Sequence, residues 1–151
     1  MTKKIVAIGA SSSRKSINKQ LANYAAQQVA RAEVNLLDLN DFEMPIYSVD
    51  REAESGVPEL ARQFKAHLKN ADGIVISFAE HNGTYATAFK NIFDWISRVE
   101  KDVWYNKPMF LLATSPGGRG GQTALEIAVN KFKHMNTNTC LLYTSPSPRD
   151  S

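Results

Sequence analysis

Gly73-Ile74-Val75-Ile76-Ser77-Phe78, running directly into Ala79-Glu80-His81-Asn82-Gly83-Thr84, is the stretch on which the fold turns. The first six residues are short, β-branched and almost wholly apolar, without alternation, the pattern of a strand buried on both faces. Such strands belong to parallel sheets covered by helices on either side. Just upstream, Pro58 suits the first turn of a helix that carries Leu60, Phe64 and Leu68 inward. Just downstream, Phe89, Ile92, Phe93 and Ile96 recur at the spacing of an amphipathic helix.

The same alternation continues outward in both directions. Ile5-Val6-Ala7-Ile8 reads as a first buried strand ended by Gly9, and Ala10 to Lys15 as a polar loop. Ser16 is placed to cap a helix with apolar positions Ile17, Leu21, Tyr24, Ala25 and Val29. Glu33 to Leu39 reads as a second strand, Phe42 to Tyr47 as a loop, and Asp50 to Glu54 as a solvated charged stretch. Past the turn Tyr105-Asn106-Lys107-Pro108 come a strand at Met109–Ala113, a loop at Ser115–Gly121, and a helix facing inward through Leu125, Val129 and Phe132. There is room for a fifth strand after Asn136. Repeated βα units with right-handed crossovers give an α/β class: one doubly wound parallel sheet in a three-layer α/β/α domain. Trp95 lies off the Phe89/Ile92/Phe93/Ile96 stripe, so it serves either a subunit interface or the Trp104-Tyr105 segment.

Composition excludes several classes of function. With 151 residues, 43% hydrophobic and 22% charged, the chain has the balance of a single globular domain rather than a disordered or disulfide-scaffold one. The net charge of +3 is mild and no basic run exceeds two residues, so neither nucleic acid nor a membrane surface is expected as a partner. No apolar stretch approaches the ~18 residues of a membrane span. One cysteine, Cys140, forms no internal disulfide, which fits a reducing, cytoplasmic setting.

From Cys140 the string Cys-Leu-Leu-Tyr-Thr-Ser-Pro-Ser-Pro-Arg-Asp resembles the translation of a transposase adapter used in preparing sequencing libraries. The competing reading is a genuine strand, Thr139 to Thr144, with a Pro/Ser tail. On the adapter reading the domain occupies residues 1–139, incomplete at its C-terminus, and residues 140–151 are a non-native tail set aside from fold reasoning.

Parallel sheets carry their ligand loops at the carboxyl ends of the strands. After the first strand, Gly9-Ala10-Ser11-Ser12-Ser13-Arg14-Lys15-Ser16-Ile17-Asn18 gathers hydroxyls, an amide and a helix start, which together suit a phosphate. It matches neither a Walker loop nor a dinucleotide fingerprint, and the bland alternative is a Ser-rich cap without a ligand. After the third strand, Asn82-Gly83 favours a tight turn with positive φ that can aim backbone N–H groups at a heteroaromatic edge. His81 there is a base, a flat surface for a ring, or simply an exposed loop residue. The three histidines show no metal-ligand spacing, so no metal is expected, and His67 adjoins the Phe64/Leu68 face as a structural residue. After the fourth strand, the glycines of Ser115–Gly121 allow either close approach of a ligand or plain flexibility.

Together the three loops, with Phe89-Lys90-Asn91-Ile92-Phe93-Asp94-Trp95, resemble the NAD(P)H-dependent FMN reductase family, flavodoxin-like enzymes that include quinone and azo-dye reductases. The resemblance covers Lys3 to about Asn138. It implies a flavodoxin-like fold with FMN bound and NAD(P)H as co-substrate, hydride passing through FMN to a small acceptor such as a quinone, azo compound or flavin. It implies that Ser11, Ser13, Ser16 and Asn18, the Ile17 backbone and Arg14 hold the FMN phosphate. Phe78, Ala79, Glu80, His81, Asn82 and Gly83 would embrace the isoalloxazine, with Asn82 and Gly83 nearest its polar edge, and Ser115, Pro116, Gly117 and Gly118 would close the other side. No catalytic side chain is implied, since such chemistry needs positioning more than a protein acid or base. A homodimer or dimer of dimers is implied as well. The second loop departs from the family pattern at Ala79, where proline is usual, and at His81, where tyrosine is usual. The rival readings are a flavodoxin-type electron carrier, disfavoured by the pI near 9.0 because such carriers are strongly acidic, and a non-catalytic sensor of a phosphate ligand.

Overall fold

All six residues of Gly73–Phe78 are buried, and this strand lies at the centre of a parallel sheet. The computed structural model describes residues 2–136 and 141–144. Its elements are β1 (Lys3–Ala10), α1 (Ile17–Gln27), β2 (Ala32–Leu37), a 3₁₀ turn (Leu39–Phe42), α2 (Val49–Ser55), α3 (Glu59–Lys69), β3 (Gly73–Phe78), α4 (Thr87–Ile96), β4 (Met109–Ala113), α5 (Gln122–Met135) and β5 (Leu141–Thr144). Spatial order is β2-β1-β3-β4-β5, every pairing parallel. This is the doubly wound arrangement that the alternation predicts, in the flavodoxin-like strand order that the resemblance implies.

Alternate residues of β1 face opposite layers. Val6, Ile8 and Ala10 join Ile74, Ile76, Phe78, Met109 and Leu111 in a large core with side chains of α3, α4 and α5. Ile5 and Ala7, with Val75 and Leu112, pack on Ala22 and Ala26 of α1 in a smaller one. Register decides where the loops emerge: Ala10 pairs with Phe78 and Phe78 with Ala113, so three strands end side by side.

The face of α1 that meets the sheet differs from the apolar stripe expected for it. Asn18, Ala22 and Ala26 are buried, with Leu21 and Ala25 half-covered, whereas Ile17, Tyr24 and Val29 are 47%, 65% and 39% exposed. The cause lies in β1. A Cβ placed on Gly9 would fall 2.3 Å from Lys19 Cα and 2.4 Å from Lys19 N, so the helix backbone rests directly on the strand. At that separation only small or hydrogen-bonded side chains fit between the layers.

Two other expectations change, and a third gains a helix. The charged stretch after Tyr47 is helical: Ser48 Oγ accepts from Arg51 N at 3.0 Å, Asp50 and Glu52 sit in the first turn of α2, and Gly56 closes it at φ 75°. The helix buries nothing, so the stretch is solvated as its charges require. The second strand stops at Leu37 and the chain enters the 3₁₀ turn under an Asp38 cap. Trp95 serves neither of its two expected roles. It is 1% exposed, its Nε1 donates to Pro45 O at 2.7 Å and its ring meets Tyr47 edge-on at 4.9 Å, so it clamps the loop after β2. His67 is structural as expected, beside Phe42 at 6.0 Å and 2.9 Å from the Asn35 amide through Nδ1. Of the adapter-like tail, Leu141–Thr144 pair with β4 as the fifth strand. Residues 140 and 145–151 lie outside the described residues.

A buried cation holds the approach to β4. Lys65 is 1% exposed; its Nζ donates to Asp102 O and Val103 O, both at 2.6 Å, and lies 3.7 Å from the centre of the Tyr105 ring. Burial pushes its ammonium down to about 8. An unfolded lysine titrates near ~10.4, so above about pH 8 the unfolded chain holds more protons than the folded one and the Lys65 contribution becomes more favourable as pH rises.

Two measurements check these packing statements. Gly9→Ala is expected to cost about 2–3 kcal/mol in chemical denaturation because the helix must lift, while Gly118→Ala, with open space around it, changes stability by less than about 0.5 kcal/mol. The stability gap between the natural chain and Lys65→Met is expected to widen from about pH 7.5 to about pH 9.5; a constant gap would contradict the titration.

Candidate cofactor cleft

Ser11 opens the first loop with its amide donating to Gly9 O at 2.8 Å, and its hydroxyl accepts from Ser13 N at 3.1 Å. Asn40 ties the loop from outside through Ser12 O at 3.1 Å. Lys19 pairs with Asp38 at 2.9 Å, and that hydrogen bond holds the Asp38 carboxyl below the usual carboxylate range. Ser16 caps α1, its Oγ accepting from Lys19 N at 3.1 Å while its own O–H remains a donor. The amides of Ile17 and Asn18 have no acceptor among the described residues. Two open amides at a helix start, flanked by hydroxyls and by Lys15, are suited to an anion.

The second loop is a tight hairpin. His81 N donates to Thr84 O at 2.8 Å and Thr84 N to His81 O at 3.1 Å. Between them Asn82 has φ 52° and Gly83 φ 79°, the Asn-Gly turn in which both central residues are left-handed. The Asn82 and Gly83 amides have no acceptor among the described residues. The third loop turns through Gly120 and Gly121, at φ 59° and 81°, into α5.

One side chain binds all three strand ends together. Asn18 is 3% exposed; its Oδ1 accepts from Ser77 Oγ at 2.7 Å and from Thr114 N at 3.2 Å, and its Nδ2 donates to Thr114 O at 3.2 Å. It therefore joins the start of α1 to β3 and to the loop after β4. As a phosphate donor, the role the resemblance implies for it, Asn18 has one side-chain N–H and its backbone amide left to offer.

The loops enclose a cleft of about 270 Å³ lined by Ser11, Ser13, Lys15, Ser16, Ile17, Asn18, Ala79, Glu80, His81, Thr114, Ser115 and Pro116. Ten of the residues expected from the sequence thus meet in one place. Arg14, Asn82, Gly83, Gly117 and Gly118 do not line it. Phe78 is fully buried and packs on Phe89 at 5.2 Å, so its ring faces the core and it does not line the cleft. Lys15 and Thr114 were missed. Lys15 could have been found from its place beside the helix cap, whereas Thr114 enters through backbone contacts that leave no mark in sequence. Among the described residues no cluster of three or more His, Cys, Asp or Glu forms a metal site.

Comparison with known proteins bears on the family and the fold. Residues 3–145 match the family model described as NADPH-dependent FMN reductase. The chain belongs to that family. Among curated relatives it is 36% identical over 121 residues to a 2-hydroxy-1,4-benzoquinone reductase of Burkholderia sp., covering 80% of this chain and 64% of that one. It is 29% identical over 146 residues to an NADPH azoreductase of Bacillus sp. strain OY1-2, covering 97% and 74%. Among solved structures, FerB of Paracoccus denitrificans, a flavoenzyme NAD(P)H:(acceptor) oxidoreductase, superposes with a TM-score of 0.74 at 26% identity, covering 95% of this chain and 76% of that one. The chain thus spans less than two-thirds of the benzoquinone reductase's length.

Asn18→Ala is expected to cost about 2–4 kcal/mol, because Ser77 Oγ and both backbone groups of Thr114 lose their partner in a buried place. Ser77→Ala alone is expected to cost about 1 kcal/mol, and urea denaturation of the double variant is expected to show less than the sum.

Proposed function

We propose that this chain is the FMN-binding unit of an NAD(P)H oxidoreductase that delivers reducing equivalents to a small acceptor such as a quinone, an azo compound or a flavin. The observation that carries the reading is that an anion-ready helix start and the Ala79, Glu80 and His81 stem of a hairpin whose two tip amides are open line one cleft at adjacent strand ends. These groups suit the two ends of FMN. The Ile17 and Asn18 amides, the hydroxyls of Ser11, Ser13 and Ser16, and the nearby Arg14 and Lys15 would hold the phosphate; the Asn82 and Gly83 amides would face the polar edge of the ring. His81, exposed on the cleft wall, would lie flat against it, with Ser115, Pro116, Gly117 and Gly118 opposite.

When bound, FMN supplies two-electron transfer between a nicotinamide and the acceptor. The protein's own contribution is to bind, to orient and to place fixed N–H dipoles where negative charge gathers on the ring edge. No side chain in the cleft is assigned as a proton donor or acceptor. The chain is read as working in a homodimer or dimer of dimers, supported by the exposed apolar side chains of Val49, 72% exposed, and Ile46, 70% exposed and sharing a groove with Thr87, Asn91 and Asp94 of α4. A cytoplasmic place is read from the single cysteine, Cys140, which forms no internal disulfide; among the described residues no helix is long and apolar enough to cross a membrane.

Titration with FMN is expected to quench flavin fluorescence, and NADH or NADPH is then expected to bleach the yellow complex under anaerobic conditions, with colour restored by a benzoquinone. Binding without bleaching would make the protein an electron carrier. No flavin binding at all would leave a sensor of another phosphate ligand.

A further inference from the structure

The two helices that begin at the cleft treat their N-termini differently. α1 caps itself with Ser16 and leaves two amides open toward the cleft. α5 enters through Gly121, which carries no side chain and allows none: its φ is 81°, and a Cβ there would lie 3.0 Å from Ala113 Cβ and 3.3 Å from Thr114 N. The cap comes from elsewhere in the chain. Glu80, two residues before the left-handed Asn82 of the hairpin, reaches across so that its Oε1 accepts from Ala124 N at 2.9 Å. Close by, a Cβ on Gly83 would lie 3.9 Å from Thr123 Cγ2, so the hairpin and the first turn of α5 are in contact.

We propose that Glu80 is a positioning residue whose carboxylate locks the 79–84 hairpin to the end of the glycine-rich loop, so that the two ring-side walls of the cleft hold their spacing as one unit. A carboxylate accepting from a first-turn amide is favoured both by the hydrogen bond and by the helix dipole. The lock closes the α5 terminus to other anions and leaves α1 as the open helix end in the cleft. It also explains how a loop with glycine at 117, 118, 120 and 121 keeps a fixed end: the chain is pinned at Thr114 by Asn18 and at Ala124 by Glu80. The consequence for ligand affinity rests on the FMN reading above; the coupling of the two loops does not.

The experiment compares amide exchange and FMN affinity for the full chain and for Glu80→Ala, Glu80→Gln and Val129→Ala. In the absence of FMN, Glu80→Ala is expected to speed exchange about 5- to 10-fold both at Ala124 and Leu125 and at His81 and Thr84, whose mutual hydrogen bonds report the hairpin. Glu80→Gln keeps an acceptor oxygen at the same reach and is expected to restore both. With FMN, the dissociation constant is expected to rise about tenfold in Glu80→Ala and to return most of the way in Glu80→Gln. Val129→Ala, which trims a half-buried residue farther along α5, is expected to lower the melting temperature and leave the hairpin exchange and the affinity unchanged. Should Glu80→Ala fail to fold, Glu80→Asp, one methylene short of Ala124, is expected to show the same paired loosening. Faster exchange confined to α5, or Gln behaving as Ala does, would overturn the proposal. If the natural chain takes no FMN, the cofactor reading falls while the exchange measurements still decide the lock.

Discussion

Between Gly9 and Lys19 there is no room for a methyl group, so α1 lies on the bare backbone of β1. That contact sets how deep the start of the helix sits. It brings Asn18 to the carboxyl edge of the sheet, within hydrogen-bond distance of Ser77 on β3 and Thr114 beyond β4. With a larger residue at position 9 the helix would stand off, and the amide could not reach both neighbours. The open N–H groups of Ile17 and Asn18 face the cleft for the same reason.

From that contact the cleft is assembled by long-range polar bonds rather than by the loops' own conformations. Asn18 joins positions 59 and 96 residues away, and Glu80 joins one 44 residues away. The second loop needs no such help to turn, because Asn82-Gly83 adopts its left-handed pair locally. Its place relative to α5 does need it. The buried aromatic group of Phe78, Phe89, Phe93, Trp104 and Phe132 supplies the floor beneath, with ring centres 5.1 to 6.5 Å apart. Lys65 anchors the segment that carries Trp104 through two backbone carbonyls.

Local sequence determined the strands, the turn and the helix starts, because each depends on neighbours in the chain. Three β-branched residues in a row, Ile74-Val75-Ile76, followed closely by Phe78, make a buried strand, Ser16 caps the helix that follows it, and Asn82-Gly83 turns the chain locally. The order of βα units then leaves little choice of topology, and the strand ends mark where a ligand goes. Tertiary structure alone decided which side chains face the cleft and which hold it together. Periodicity placed Ile17, Tyr24 and Val29 on the inner face of α1, but the absence of a side chain at Gly9 selected Ala22 and Ala26 instead. Trp95 found its partner at Pro45, Asn18 at Ser77 and Thr114, and Glu80 at Ala124, all across loops whose approach is fixed by sheet register. A hydrogen bond between residues far apart in sequence has no local signature, since its energy is gained only once the layers have closed around it.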